Sequence, residues 1–163
     1  MAEIRLRKRR RLKRKEAATF ADEMGAAFGC KIFSEEDAID MAEAEGLEVA
    51  IVNNRILGLR YEGKPFLTVR GLLKYRPAVR FVTVDMGAIR FVTNGADIMT
   101  PGIVDADPAI TAGDLVWIRD ERNLQPLAVG VALMGGAEMK ESKSGKGVRS
   151  LLYVGDEIWK LDD

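Results

Sequence analysis

Apolar residues recur at helical spacing from Lys15 to Phe28, where Ala17, Phe20, Ala21, Met24, Ala27 and Phe28 share one side of a 3.6-residue repeat. The pattern predicts a helix, and Gly29 stands where a C-terminal cap belongs. Its basic start, Lys13 to Lys15, opposes the positive end of the helix dipole unless an anion lies close. Residues 35 to 46 fit two readings: Ala, Glu and Met favour helix, yet the segment is short and ends at Gly46, so its type stays open. Leu47 to Val52 and Arg55 to Arg60 flank Asn53-Asn54 and predict a β-hairpin, because Asn tolerates the positive φ of a two-residue turn. A second turn at Glu62-Gly63-Lys64-Pro65 leads into Phe66 to Val69. A short helix follows at Gly71 to Tyr75 and stops before Pro77.

From Arg80 onward the pattern changes to short β-branched runs separated by Gly, Asp and Pro: Phe81 to Val84, Leu115 to Arg119, Leu127 to Met134 and Val148 to Val154. That spacing predicts a small barrel or sandwich, with a boundary near Arg76 to Val79. Charged loops at Asp120 to Asn123 and Lys140 to Lys146 separate the strands.

Composition allows one ordinary domain or two small ones: 163 residues with 47% hydrophobic content can fill a core. No apolar run reaches the roughly 18 residues that a membrane-spanning helix needs, and the basic N-terminus is followed by Glu16, Asp22 and Glu23 rather than an apolar stretch. A cytosolic protein is expected. The single cysteine, Cys30, has no internal partner and is expected as a small buried thiol beside Gly29.

The formal net charge is zero, but the signs are segregated. Residues 1 to 15 hold nine Lys/Arg against one acid, a net of +8, and the remainder holds 16 bases against 24 acids, a net of −8. A mildly acidic body thus carries a basic arm. The arm has two readings, attraction to the phosphates of a nucleic acid or a solvated, solubilising tail. Ile4, Leu6 and Leu12 give too little apolar face for a membrane surface.

The stretch Val84-Asp85-Met86-Gly87-Ala88-Ile89-Arg90-Phe91-Val92-Thr93-Asn94-Gly95-Ala96-Asp97-Ile98-Met99-Thr100-Pro101-Gly102-Ile103 resembles the opening strand, helix and second strand of a PUA domain, the module named after pseudouridine synthases and archaeosine transglycosylases. Gly113-Asp114-Leu115-Val116, Ala128 to Ala132, Gly145 to Val148 and Gly155 to Trp159 follow in the order that family shows, so the resemblance covers about residues 80 to 161. Upstream, Phe66 to Tyr75 is similar to the end of the pre-PUA domain in archaeal relatives of the malignant T-cell-amplified sequence family. The resemblance implies an α+β protein: a basic arm (1–15), a small N-terminal α/β pre-PUA domain (16–78) and a mostly β PUA pseudo-barrel (79–163). It also implies RNA binding, of tRNA or rRNA on the small ribosomal subunit, in a translation-associated factor acting in initiation, reinitiation or recycling. The start-codon-scanning domain of the eukaryotic partner has no counterpart here, so such activity would require a second polypeptide. Because PUA domains often ride on modifying enzymes, an accessory subunit that presents RNA to a tRNA- or rRNA-modifying enzyme is the alternative.

Three small-residue pairs, Gly87-Ala88, Gly95-Ala96 and Pro101-Gly102, lie within sixteen positions and offer a backbone surface on which RNA can lie close. Each glycine alone also has a plain reading as a turn residue. Arg90 and Asn94, four apart, share a helix face and are candidates for phosphate or base-edge contact. Lys140, Lys143, Lys146 and Arg149 flank Gly145 and Gly147 as a second electrostatic candidate, and Arg119 is a weaker one. Arg7, Arg9, Arg10, Arg11, Lys13 and Arg14 complete the expected RNA-binding set. Trp117, Trp159, Tyr153 and Phe91 lie in apolar runs and are expected in the core.

Catalysis is not expected. The sequence contains no His, the usual general base near neutral pH, and the only thiol lacks a His partner. No Cys/His cluster suits zinc and no carboxylate spacing singles out a metal pair, so neither metal nor cofactor is expected. Asp85, Asp97 and Asp114 sit beside glycine turns, where Asp usually satisfies backbone amides.

Overall fold

A computed structural model of the chain describes residues 5–162. The chain forms two compact units, one of residues up to Pro77 together with those from Glu157 onward, the other Ala78–Asp156.

The first unit is an antiparallel sheet in the order β1-β2-β3-β4-β5, made of β1 (Arg7–Arg11), β2 (Ile39–Ala44), β3 (Leu47–Val52), β4 (Arg55–Tyr61) and β5 (Lys64–Leu67). The hairpin turns use the residues that tolerate them: Asn53 and Asn54 take φ of 50° and 69°, and Glu62 and Gly63 take 49° and 79°. Helix α1 (Arg14–Phe28) buries Phe20, Met24 and Phe28, three of the six positions its repeat selected, and ends on Gly29 at φ 69°. Phe28 packs on Phe66 with ring centroids 4.7 Å apart. Each such side chain contributes about 1.5–3 kcal/mol by leaving water. Helix α2 (Val69–Tyr75) is capped by the Thr68 hydroxyl, which accepts the Gly71 N–H at 3.2 Å.

One open reading closes here and two expectations change. Residues 39–44 form a strand, because pairing with β3 over six positions overrides the helix propensity of Ala, Met and Glu. The basic segment is an edge strand rather than a free arm: Arg7 to Arg11 pair with Asp40 to Glu43 through a bulge, at which Lys8 takes φ 52°. The first four residues of the expected arm lie outside the described residues. Cys30 is exposed, not buried, since it follows the capping glycine on the outside of the turn.

The second unit is a six-stranded sheet in the order β7-β11-β10-β9-β6-β8. Its strands are β6 (Phe81–Val84), β7 (Ile98–Met99), β8 (Ile103–Ala106), β9 (Leu115–Asp120), β10 (Pro126–Ala132) and β11 (Lys146–Tyr153). β6 and β9 run parallel and the other neighbours antiparallel. The outermost strands, β7 and β8, are joined by only the 3₁₀ turn Thr100–Gly102, so the sheet curls into a nearly closed barrel. Val82, Val84, Val92, Ile98, Ile118 and Val148 fill it. Helix α4 (Gly136–Glu141) closes one end through Met139, and a Cβ at Gly136 would stand 2.0 Å from the Asp107 carbonyl oxygen.

The expected barrel domain ran to residue 163, but the last helix, α5 (Glu157–Lys160), packs within the first unit. The Arg70 guanidinium lies 3.8 Å over the Trp159 ring and donates to the Trp159 carbonyl at 3.0 Å. The Asp162 carboxylate accepts the Ile56 N–H at 2.8 Å. Trp159 is therefore a half-buried partner of Arg70 and not a barrel core residue. Trp117 is buried as expected, with its indole N–H donated to the Val79 carbonyl at 2.7 Å.

Candidate nucleic-acid interface

The segment from Asp85 to Gly102 folds back on itself because its two ends are hydrogen-bonded: the Asp85 N–H donates to the Gly102 carbonyl at 2.9 Å. The Asp85 carboxylate caps the following 3₁₀ turn, Met86–Ala88, by accepting the Ala88 N–H at 2.9 Å. Helix α3 (Ile89–Val92) follows, and Gly95, at φ 89°, turns the chain toward β7. A Cβ at Gly95 would meet the Tyr153 ring at 2.8 Å, and one at Gly102 would meet the Ala88 Cβ at 3.3 Å. Gly95 is required by close approach as well as by φ, whereas Gly102 is favoured by tight packing alone.

The fold-back encloses an open groove of about 590 Å³. Among the residues expected to touch RNA, Gly87, Ala88, Ala96, Pro101, Gly102 and Lys146 line it together. Phe91 and Met99 line it too and are exposed, at 54% and 47%. Phe91 is thus not core: within the short apolar run of α3, Val92 takes the buried position. The polar lining consists of Asp85, Asp97 and Lys146. Asp97 accepts the Ser150 N–H at 2.9 Å and pairs with the Lys146 ammonium at 3.0 Å, and these two bonds hold its carboxyl below the usual range.

Arg90, Asn94 and Gly95 stand outside the lining. The Asn94 amide donates to the Arg90 carbonyl at 2.9 Å and finishes the helix, while the Arg90 guanidinium sits 4.8 Å from the Phe91 ring centroid. The basic loop is held next to the groove, since Thr100 donates its N–H to the Gly145 carbonyl at 2.9 Å. Lys143 of that loop and Arg149 of β11 are exposed, and Lys140 pairs with Asp105 at 3.3 Å. Arg119 has a structural place, stacked 3.8 Å over Phe81 and donating to the Thr83 hydroxyl at 2.9 Å.

The N-terminal cations belong to the first unit, and many face carboxylates. Arg9 (2.7 Å) and Arg11 both pair with Asp40, Arg10 with Glu16 (3.2 Å) and Lys8 with Glu43 (3.9 Å). The hydrogen bond from Arg11, then that from Arg9, outweighs the opposing effect of burial and holds the Asp40 carboxyl below its ordinary range. Glu16 also accepts the Lys13 N–H at 3.1 Å, and so supplies the anion that the basic start of α1 lacked. Arg7, Lys13 and Arg14 are exposed.

No group of three or more His, Cys, Asp or Glu side chains able to hold a metal ion occurs among the described residues. No helix among them is long and apolar enough to cross a membrane.

Residues 80–151 match the model of the PUA domain family. Over 97% of its length the chain is 39% identical to an uncharacterised protein of Methanocaldococcus jannaschii, of which it covers 99%. It is 30% identical, over 80% of its length, to mouse Malignant T-cell-amplified sequence 2, covering 75% of that protein. It is 35% identical, over 64% of its length, to Translation machinery-associated protein 20 of Schizosaccharomyces pombe, covering 60% of it. Among solved structures, a hypothetical protein of Pyrococcus horikoshii superposes with a TM-score of 0.85 at 34% identity, over 95% of this chain and 99% of that one.

Proposed function

The chain belongs to the PUA-domain family that includes the malignant T-cell-amplified sequence proteins, and on that premise we propose that it is a non-catalytic, cytoplasmic factor that binds tRNA or small-subunit rRNA during translation. RNA binding and association with translation are the family-level part of this reading. The observation that carries the rest is the groove, in which six residues expected to touch RNA line one concavity beside the exposed cations Lys143 and Arg149. Backbone and small side chains there allow a strand to approach closely, while Arg7, Lys13 and Arg14 of the first unit supply attraction that is independent of sequence. The groove carboxylates support a binding role over a chemical one, because Asp85 and Asp97 are each engaged by a backbone N–H.

The test is titration of the purified chain with tRNA and with small ribosomal subunits at several salt concentrations, alongside co-purification from cells. Binding that weakens steeply with salt, with ribosomal subunits or initiation factors recovered, is the expected result. Absence of binding to both RNAs at low salt overturns the reading. Recovery of a modification enzyme in place of ribosomal subunits would assign the chain to RNA presentation instead.

A further inference from the structure

The groove beside Phe91 has a chemistry unlike that of a phosphate site. Its one lining cation, Lys146, is paired with Asp97 at 3.0 Å, and Asp85 adds a second carboxylate. A phosphate placed inside would face two anions. The rest of the lining is apolar or small, and the two large apolar side chains, Phe91 and Met99, are about half exposed. At about 590 Å³ the groove lies within the range of small-ligand sites, large enough for a nucleobase with its sugar. Unpaired RNA bases are held in such places by stacking on aromatic rings and by hydrogen bonds to their edges. Phe91 offers the ring, with the Arg90 guanidinium 4.8 Å from its centroid.

Resting on the RNA-binding reading above, we propose that the groove selects one unpaired nucleotide by its base, and that Asp97 makes it prefer bases carrying an exocyclic amine over uracil. The base lies against Phe91 with its edge toward the carboxylates, and the flanking phosphates stay outside, toward Lys143 and Arg149. A carboxylate only accepts hydrogen bonds, and its two oxygens carry about four lone-pair directions between them. The Ser150 N–H and the Lys146 ammonium occupy one direction on each oxygen of Asp97. A further direction suits the N4 amine of cytosine or the N6 amine of adenine. Uracil presents a carbonyl oxygen at the same edge, where acceptor would face acceptor.

Cytosine and uracil stack similarly and differ at this edge, so short single-stranded oligocytidylate and oligouridylate isolate the effect. Fluorescence anisotropy of the full chain with each oligonucleotide should show oligocytidylate binding about tenfold tighter, the size of one hydrogen bond to a charged group. Asp97→Asn keeps an oxygen for the Ser150 N–H and places an amide donor where the second acceptor stood, and it should bring the two affinities within about twofold. Phe91→Ala should weaken both by at least about fivefold. Equal binding of the two oligonucleotides to the native chain, or a cytosine preference that survives Asp97→Asn, overturns the proposal. If tRNA still binds in that event, only the base preference fails; if tRNA does not bind either, the RNA-binding reading fails with it. Coinciding near-ultraviolet circular dichroism spectra show that each variant is folded.

Discussion

Strand β1 of the first unit and the groove of the second carry opposite chemistries. The strand shows five consecutive cationic residues, Arg7 to Arg11, and carboxylates on β2 and α1 face four of them. The groove is lined by small and apolar residues with a single cation, itself paired. Charge along a sequence therefore overstates the charge offered to a ligand. On the proposed function, the cations left facing solvent would supply salt-sensitive affinity, and discrimination between RNAs would belong to a concavity whose shape depends on glycine. Each half of that contrast can be changed without the other.

The groove's shape should respond most strongly. Gly95→Val puts a β-branched side chain at φ 89° against the Tyr153 ring and should cost about 3 kcal/mol, read as a lowered Tm. The salt dependence of RNA binding should persist if the chain stays folded at the assay temperature. An unchanged Tm would show that the close approach is not required.

Two buried carboxylates, one in each unit, extend the contrast. Asp120 accepts N–H groups from Arg122, Asn123 and Gln125, so Asp120→Ala strands several amides and should cost about 2 kcal/mol in a denaturant titration. Asp40 faces Arg9 and Arg11, which are largely solvated, so Asp40→Ala should cost only about 1 kcal/mol. It should also release two guanidiniums and steepen the logarithmic salt slope of tRNA binding by roughly one to two. A flatter slope would mean that Asp40 orders the cations for RNA.

Both carboxyls are held below their ordinary range, Asp40 by Arg11 and Arg9, and Asp120 by backbone amides that overcome the opposing effect of burial. A depressed folded-state pKa stabilises the fold above the unfolded value of about 4, and that stability is lost as pH falls through the folded value. Melting between neutral pH and about pH 3 should show this loss. High salt should shrink the part removed by Asp40→Asn more than the part removed by Asp120→Asn.

Stability should change least at Phe91. Phe91→Ala should shift it by less than about 0.5 kcal/mol, against roughly 1–2 kcal/mol for its buried neighbour in Val92→Ala. A large loss at Phe91 would return it to the core.

Local signals are readable wherever local chemistry dominates. The helix ending at Gly29, the Asn53-Asn54 hairpin and the short β-branched strands follow from spacing and turn residues alone. Residues 39–44 are ambiguous in sequence because their strand state depends on β3, beyond any local window. The basic segment reads as an arm because its partner carboxylates, Asp40 and Glu43, lie about 30 positions away. The groove is half legible: the glycine pairs mark its backbone, but an apolar run conceals which of its members faces out, and so Phe91 reads as core. The pairing of Lys146 with Asp97, across almost 50 residues, leaves no sequence signature.

The proposed division of labour between the exposed N-terminal cations and the groove stands or falls on the salt dependence of tRNA binding, for the native chain and for a variant with Arg7, Lys13 and Arg14 changed to Gln. The logarithmic slope should fall by roughly two to three, at about 0.7–0.9 for each phosphate no longer neutralised, while the preference for oligocytidylate over oligouridylate remains. An unchanged slope, or a slope that falls together with the base preference, would contradict it.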